Sequence, residues 1–228
     1  MGMSEAGARA EGRREAAPVA VLALIVIVVL ALVSWNRHWE LLSLPWWVWL
    51  LVALPTLLLT VDLLLSIRGV GLVRTRSAAL VLLGLLVLGN FVALAILVAA
   101  LVTTNTEDLD GGELLLTGFA IYSTDVIVFG LLFWELDAGG PAVRLRMRER
   151  KPFDFLFPQD GLSEPDAKSW RPQAWDYLYV SLTNSIAFSP TDTMPLTVRA
   201  KLAMGLESAI SAVTILLVAA RAVNVLGS

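Results

Sequence analysis

Three polar side chains lie inside stretches that are otherwise almost wholly apolar, and their types limit the chemistry open to them. Asp125 sits near the middle of the run Glu113–Leu136, beside Ser123 and Thr124. A carboxylate at the centre of a membrane-length helix costs at least a few kcal/mol, so it must face a bundle interior or a wet cavity. Two chemistries suit it. It can hold a proton or a cation, or it can join helices as a hydrogen-bonded carboxyl. Glu207 stands about two turns into the last apolar run. It is expected to brace the preceding segment through that segment's backbone N–H groups, or to line a vestibule. Asn90, in a third run, is expected to make an interhelical hydrogen bond.

Two further acids are weaker candidates. Asp62, near one end of the second run, is close enough to Arg68 to pair with it while reaching toward the interface. Asp192 lies between Thr191 and Thr193, flanked by Pro190 and Pro195. It is the most site-like loop residue; its other reading is an Asp that stabilises a tight turn with its side chain.

Enzyme chemistry has little to stand on, and no catalytic residue is assigned. The chain has no cysteine and one histidine, His38, which excludes disulfides, thiol catalysis and Cys-ligated metals. One histidine cannot form a metal site, and no cofactor is expected. No phosphate-binding glycine loop, no H-E-x-x-H and no Ser/His/Asp set is present. Intramembrane aspartyl chemistry needs two facing carboxylates, and neither Asp62 nor Asp125 sits in a supporting motif. A net charge of −3 argues against nucleic acid, which wants a basic face.

The elements that position these residues follow from hydropathy. The chain is 57% hydrophobic and only 16% charged, against roughly 25% charged in soluble domains. Its apolar residues are pooled in runs of the length a hydrocarbon core demands, about 20 residues per helix. Five such runs are expected to span: Pro18–Ser34, Leu44–Leu65, Ser77–Val102, Glu113–Leu136 and Ala200–Leu226. The fold class is therefore all-α, a multi-pass membrane protein. Residues 1–17 are polar and read as a disordered tail; 18–103 form a three-helix membrane region; 113–228 form a second module. Within that module, Pro-rich residues 137–175 are a polar loop without strong periodicity. Asp176–Phe188 is too short to cross. Pro190 and Pro195 then interrupt the chain, so 176–195 reads as a re-entrant or interfacial segment, tolerated only where protein or a water cavity surrounds it.

The loop charges set an orientation. Arg9, Arg13 and Arg14 precede the first span; Arg68, Arg74 and Arg76 separate the second and third. A third basic group, including Arg144, Arg171 and Arg199, separates the fourth and fifth. Five spans in a bacterial plasma membrane with the N-terminus in the cytoplasm place all three groups inside. Trp35, Trp39, Trp46, Trp47 and Trp49 then form an aromatic belt at the opposite interface.

The last fifty residues resemble the pore module of tetrameric potassium channels. The likeness rests on Asp176-Tyr-Leu-Tyr-Val-Ser-Leu-Thr, on Asn184-Ser-Ile-Ala-Phe-Ser-Pro and Pro195-Leu-Thr-Val-Arg199, and on a final helix holding Glu207. It implies an outer helix, a pore helix, a filter and an inner helix, with Thr183, Ser185, Ile186, Ala187, Phe188 and Ser189 at filter positions and Asp192 just beyond. Such a filter replaces an ion's hydration shell with carbonyl rings. The two filter glycines are missing here, so the backbone shape they permit is costly and the filter is degenerate. The whole chain also resembles a group of uncharacterised bacterial integral membrane proteins through Phe133-Trp-Glu-Leu-Asp137, Asp154-Phe-Leu-Phe-Pro-Gln159 and Ala187 to Thr197. These resemblances imply a homo-oligomer in the bilayer, a tetramer if channel-like, passing a monovalent cation with weak selectivity. A non-conducting scaffold or a small proton-coupled transporter using Asp125 are the other expectations. Gly205, Ser208, Ala209, Ser211 and Ala212 give the last span a small-residue face that permits close helix approach.

Overall fold

A computed structural model describes residues 5–37, scattered positions between 54 and 65, and residues 76–103, 111–146, 153–162, 170–189 and 192–226. It is mostly helical: α1 (Glu5–Arg37), α2 (Arg76–Thr103), α3 (Gly111–Leu136), the short α4 (Pro141–Arg144), α5 (Ala174–Ala187) and α6 (Val198–Leu226). Among the described residues, four helices, α1, α2, α3 and α6, are long and apolar enough to cross a membrane. The last three begin and end within two residues of the apolar runs.

Two expectations need correction. Residues 5–17 are not a loose tail: they form the first turns of α1, with Ala8, Ala16 and Ala17 buried. Ala, Glu and Arg are strong helix formers, and these turns pack against the rest of the bundle. Second, the polar loop is partly ordered. Phe155–Leu156 (β1) pairs antiparallel with Met194–Pro195 (β2), and Pro158–Gly161 makes a 3-10 turn. Asp62 lies 3.8 Å from Arg13, in a short helical stretch along α1 where Thr60 also donates to Ala20 O at 3.2 Å. Its expected partner, Arg68, lies outside the described residues, as do His38, Trp39, Trp46, Trp47, Trp49 and the rest of the second expected span.

Helix α3 is the hub, touching α1, α2, α5 and α6. Its C-terminus meets the N-terminal parts of its neighbours at one charged end of the bundle. There Arg76, at the start of α2, donates to Glu135 O and Leu136 O at 3.1 and 3.3 Å. Arg144 donates to Trp134 O and Asp137 O, both at 2.7 Å. Both arginines satisfy carbonyls that a helix C-terminus leaves open, and they suit its negative dipole end. The chain leaves α3 through Ala138, Gly139 and Gly140, all at positive φ (51°, 86° and 95°).

Helix α5, 14 residues or about 21 Å, starts at this charged end and stops partway along α3. Its contacts mark the descent. Tyr177 bonds to Asp137 at the end of α3, Ser181 to Val126 O one level down, and Ser185 to Tyr122 near the middle of α3. The chain then returns: Met194–Pro195 is back at the charged end beside β1, where α6 begins.

Candidate functional site

The charged end is closed by a clasp of buried groups. Asp137 accepts hydrogen bonds from the Asp154 and Phe155 backbone N–H groups (2.6 and 3.2 Å) and from Tyr177 Oη (2.5 Å). Asp154 accepts from Arg199 Nε and Nη2 (2.6 and 2.7 Å), Thr197 Oγ1 (2.5 Å) and the Ala138 N–H (3.1 Å). Burial pushes the Asp154 carboxyl upward, but the bonds from Arg199, Thr197 and Ala138 together outweigh it and hold it below its ordinary value. Phe133, Phe155, Phe157 and Tyr177 pack ring on ring around these groups. Sequence reasoning missed this network. The acids next to aromatics in Phe133–Asp137 and Asp154–Gln159 are the available signal.

Deeper in the bundle, the polar residues gather where α2, α3, α5 and α6 meet. One stripe of α6, Ala200, Met204, Glu207, Ser211 and Thr214, follows three- and four-residue spacing and is buried against α3 and α5. Glu207 accepts from Ser181 Oγ through Oε1 and from Asn184 Nδ2 through Oε2 (2.5 Å). The bracing partners are thus side chains of α5; Asn184 Nδ2 also reaches Met204 O at 3.0 Å. One turn farther along α6, Ser211 Oγ donates to Asp125 Oδ2 at 3.2 Å. Positions four apart on a helix are roughly 6 Å apart. The Asp125 and Glu207 carboxyls are accordingly neighbours, close enough for one charge to act on the other.

Asp125 is wholly buried, at 0% exposure. Beside it Asn90, on α2, accepts from Thr124 Oγ1 through Oδ1 at 3.1 Å, an interhelical bond of the expected type. Asn90 faces the Asp125 carboxyl as a hydrogen-bonding neighbour, although Asn90 Nδ2 and Asp125 Oδ1 each fall short of hydrogen-bond geometry with any partner among the described residues. That is an open pair of polar atoms in an apolar bundle.

The filter positions look different. Thr183, Ser185, Ile186 and Ala187 are α-helical and not extended. Thr183 Oγ1 turns back to Tyr179 O and Val180 O, Ser185 Oγ to Leu182 O, and Ser185 also meets Tyr122 Oη at 2.9 Å. These local bonds and the buried polar stripe of α5 favour helix up to Ala187. Phe188 then ends it in the left-handed region at φ 55°, with its ring half exposed. Ser189 is exposed, and so is Asp192, whose Oδ1 lies 3.4 Å from Thr193 Oγ1. The structure therefore brings together Asp125, Asn90 and Glu207, and it adds Ser181, Asn184 and Ser211. It does not bring Ile186–Ser189 or Asp192 to them. Among the described residues no group of acids or histidines could hold a metal ion.

Comparison of the chain with protein-family models, with curated proteins and with solved structures finds no match.

Proposed function

We propose that this chain is a multi-pass membrane protein that moves protons, alone or coupled to a small solute, through the buried carboxylate pair Asp125 and Glu207. The observation that carries the reading is Asp125 Oδ1: a carboxyl oxygen with no hydrogen-bond partner among the described residues, in a wholly buried residue on the hub helix. Among the described residues no positive side chain answers a fixed negative charge there, so the place suits a carboxyl that takes up and releases a proton. Proton counting at Glu207 agrees. The Ser181 hydroxyl reaches both Val126 O, at 2.6 Å, and Glu207 Oε1, and a hydroxyl has one proton to give. A proton held on Glu207 satisfies all three oxygens.

In this reading α5 is a re-entrant half-helix dipping from the cytoplasmic side, with the N-terminus in the cytoplasm. Its inner face is polar (Tyr177, Ser181, Asn184, Ser185), and its outer face exposes Trp175, Tyr179, Leu182 and Ile186. That inverts the pattern of a soluble helix and suits lipid outside and polar partners inside.

The test is proteoliposome flux with an internal pH-sensitive dye, driven by a pH gradient at clamped potential. Wild type is expected to acidify the lumen, and Asp125→Asn to abolish the signal while the protein remains folded. Wild-type protein passing neither protons, sodium nor potassium would overturn the reading and leave a scaffold. A second reading, weakly selective cation conduction by an oligomer, draws on the order half-helix, turn, long helix in 174–226. Potassium or sodium flux that survives Asp125→Asn would favour it.

A further inference from the structure

At the charged end, a cleft of about 530 Å³ opens between the start of α1, α4 and the start of α5. Two cations, Arg144 and Arg171, and two acids, Glu15 and Asp176, line it, with Trp170 and Gln173 beside them; Arg144 and Glu15 lie close enough for their charges to act on each other. Arg144 is only 3% exposed. Its Nη1 is committed to two carbonyls, its guanidinium lies 5.9 Å and 5.1 Å from the ring centres of Trp134 and Tyr177, and its Nη2 has no hydrogen-bond partner among the described residues. A buried guanidinium N–H without an acceptor is costly, and the acceptor that fits it best is a planar or tetrahedral oxyanion.

The start of α5 adds to this. Gln173 caps the helix, Asp176 Oδ2 takes the Gln173 N–H at 2.7 Å, and the remaining first-turn amides and the dipole favour an anion. Arg171, which also donates to Arg144 O, stands on the same wall. The two acids require something further: a purely anionic ligand would leave Glu15 and Asp176 opposing it. A ligand carrying one phosphate and one ammonium matches all four charges.

Position says where such a ligand comes from. Glu15 is three residues before Pro18, where the apolar part of α1 begins, and Trp175 in the first turn of α5 is exposed. Exposed tryptophan beside the start of an apolar helix marks headgroup depth. The volume falls in the range of small-ligand sites, roughly 300–1,000 Å³. We propose that this cleft receives the ethanolamine phosphate headgroup of a membrane phospholipid, its phosphate on Arg144 and Arg171 and its ammonium on Glu15 and Asp176. The assignment is independent of what Asp125 does.

Native mass spectrometry of the full chain in detergent tests it, with matched acyl chains on phosphatidylethanolamine, phosphatidylglycerol and phosphatidylcholine. The ethanolamine lipid is expected to bind about tenfold more tightly than the other two, because glycerol lacks the ammonium and choline has no N–H to donate. Arg144→Gln is expected to cut that binding about tenfold. As Arg144 also caps α3, Arg171→Gln serves the same purpose should the first variant not fold. Glu15→Gln is expected to shift preference toward the glycerol lipid, a reversal that simple loosening of the fold cannot produce. Equal binding of the three lipids, or an unchanged preference in Glu15→Gln, overturns the proposal. Water-soluble O-phosphoethanolamine is expected to compete weakly; competition as strong as the lipid's would overturn the lipid source.

Discussion

Single side chains here do two jobs that the same residue types seldom share. Asp125 is held by one serine and left open on its other oxygen, whereas Glu207, one turn away, is bonded at both oxygens. The first arrangement leaves an oxygen open to take up and release a proton; the second fixes α5 to α6 around a carboxyl that holds one. Replacing Glu207 by Ala removes a hydrogen-bond partner from Ser181 and from Asn184, but each keeps another, Val126 O and Met204 O. The expected loss of stability is therefore about 1–3 kcal/mol, read from thermal unfolding in detergent. Glu207→Gln, which keeps one carbonyl oxygen, should lose less than the alanine variant; a larger loss would contradict the assigned bonds. Asn90 and Asp125 could be singled out from sequence because a polar residue in an apolar run has few explanations. Ser181 and Asn184 could not: serine and asparagine in a short segment of mixed polarity look like loop residues until α6 is placed beside them.

Elements were legible where hydropathy alone decides them. Helices α2, α3 and α6 follow their apolar runs, but the start of α1 does not, since thirteen polar and small residues there give helix propensity without apolar periodicity. The return of the chain between α5 and α6 was signalled by Pro190 and Pro195. The length of α5 is set by bonds from its own last turn, and the helix ends one residue short of the expected segment Asp176–Phe188. Close approach fixes where α5 sits. A Cβ on Gly130 would lie 2.9 Å from Leu178 Cα, and backbone cannot move aside as a side-chain tip can. Gly130→Ala should thus push α5 off α3 and lower stability by about 1–3 kcal/mol, again by thermal unfolding. Gly84, with nothing near its Cβ position, is the control: Gly84→Ala should be neutral or slightly stabilising.

For the whole molecule, the charged end decides how the bundle responds to acid. Asp154 ties the α3 exit turn to the start of α6, through Ala138, Thr197 and Arg199. Its carboxyl is held below the ordinary 3.8, so the native state binds that proton less readily than the unfolded chain does. The stability it contributes is complete above pH 3.8 and is lost as pH falls through the lower native value. Wild type should lose thermal stability over that acid range, while Asp154→Asn should be less stable at pH 7 and lack that limb. Parallel acid curves for the two proteins would remove the clasp from the account. The path of α5 bears in turn on how the polypeptide is made. Ser181 and Asn184 leave the ribosome more than twenty residues ahead of the carboxylate that receives them, and in the proposed re-entrant placement lipid offers them nothing in the meantime. Under that proposal a nascent chain stalled before α6 carries a half-helix with no stable resting place, and docking of α6 becomes the step at which the membrane machinery can tell a finished molecule from an unfinished one.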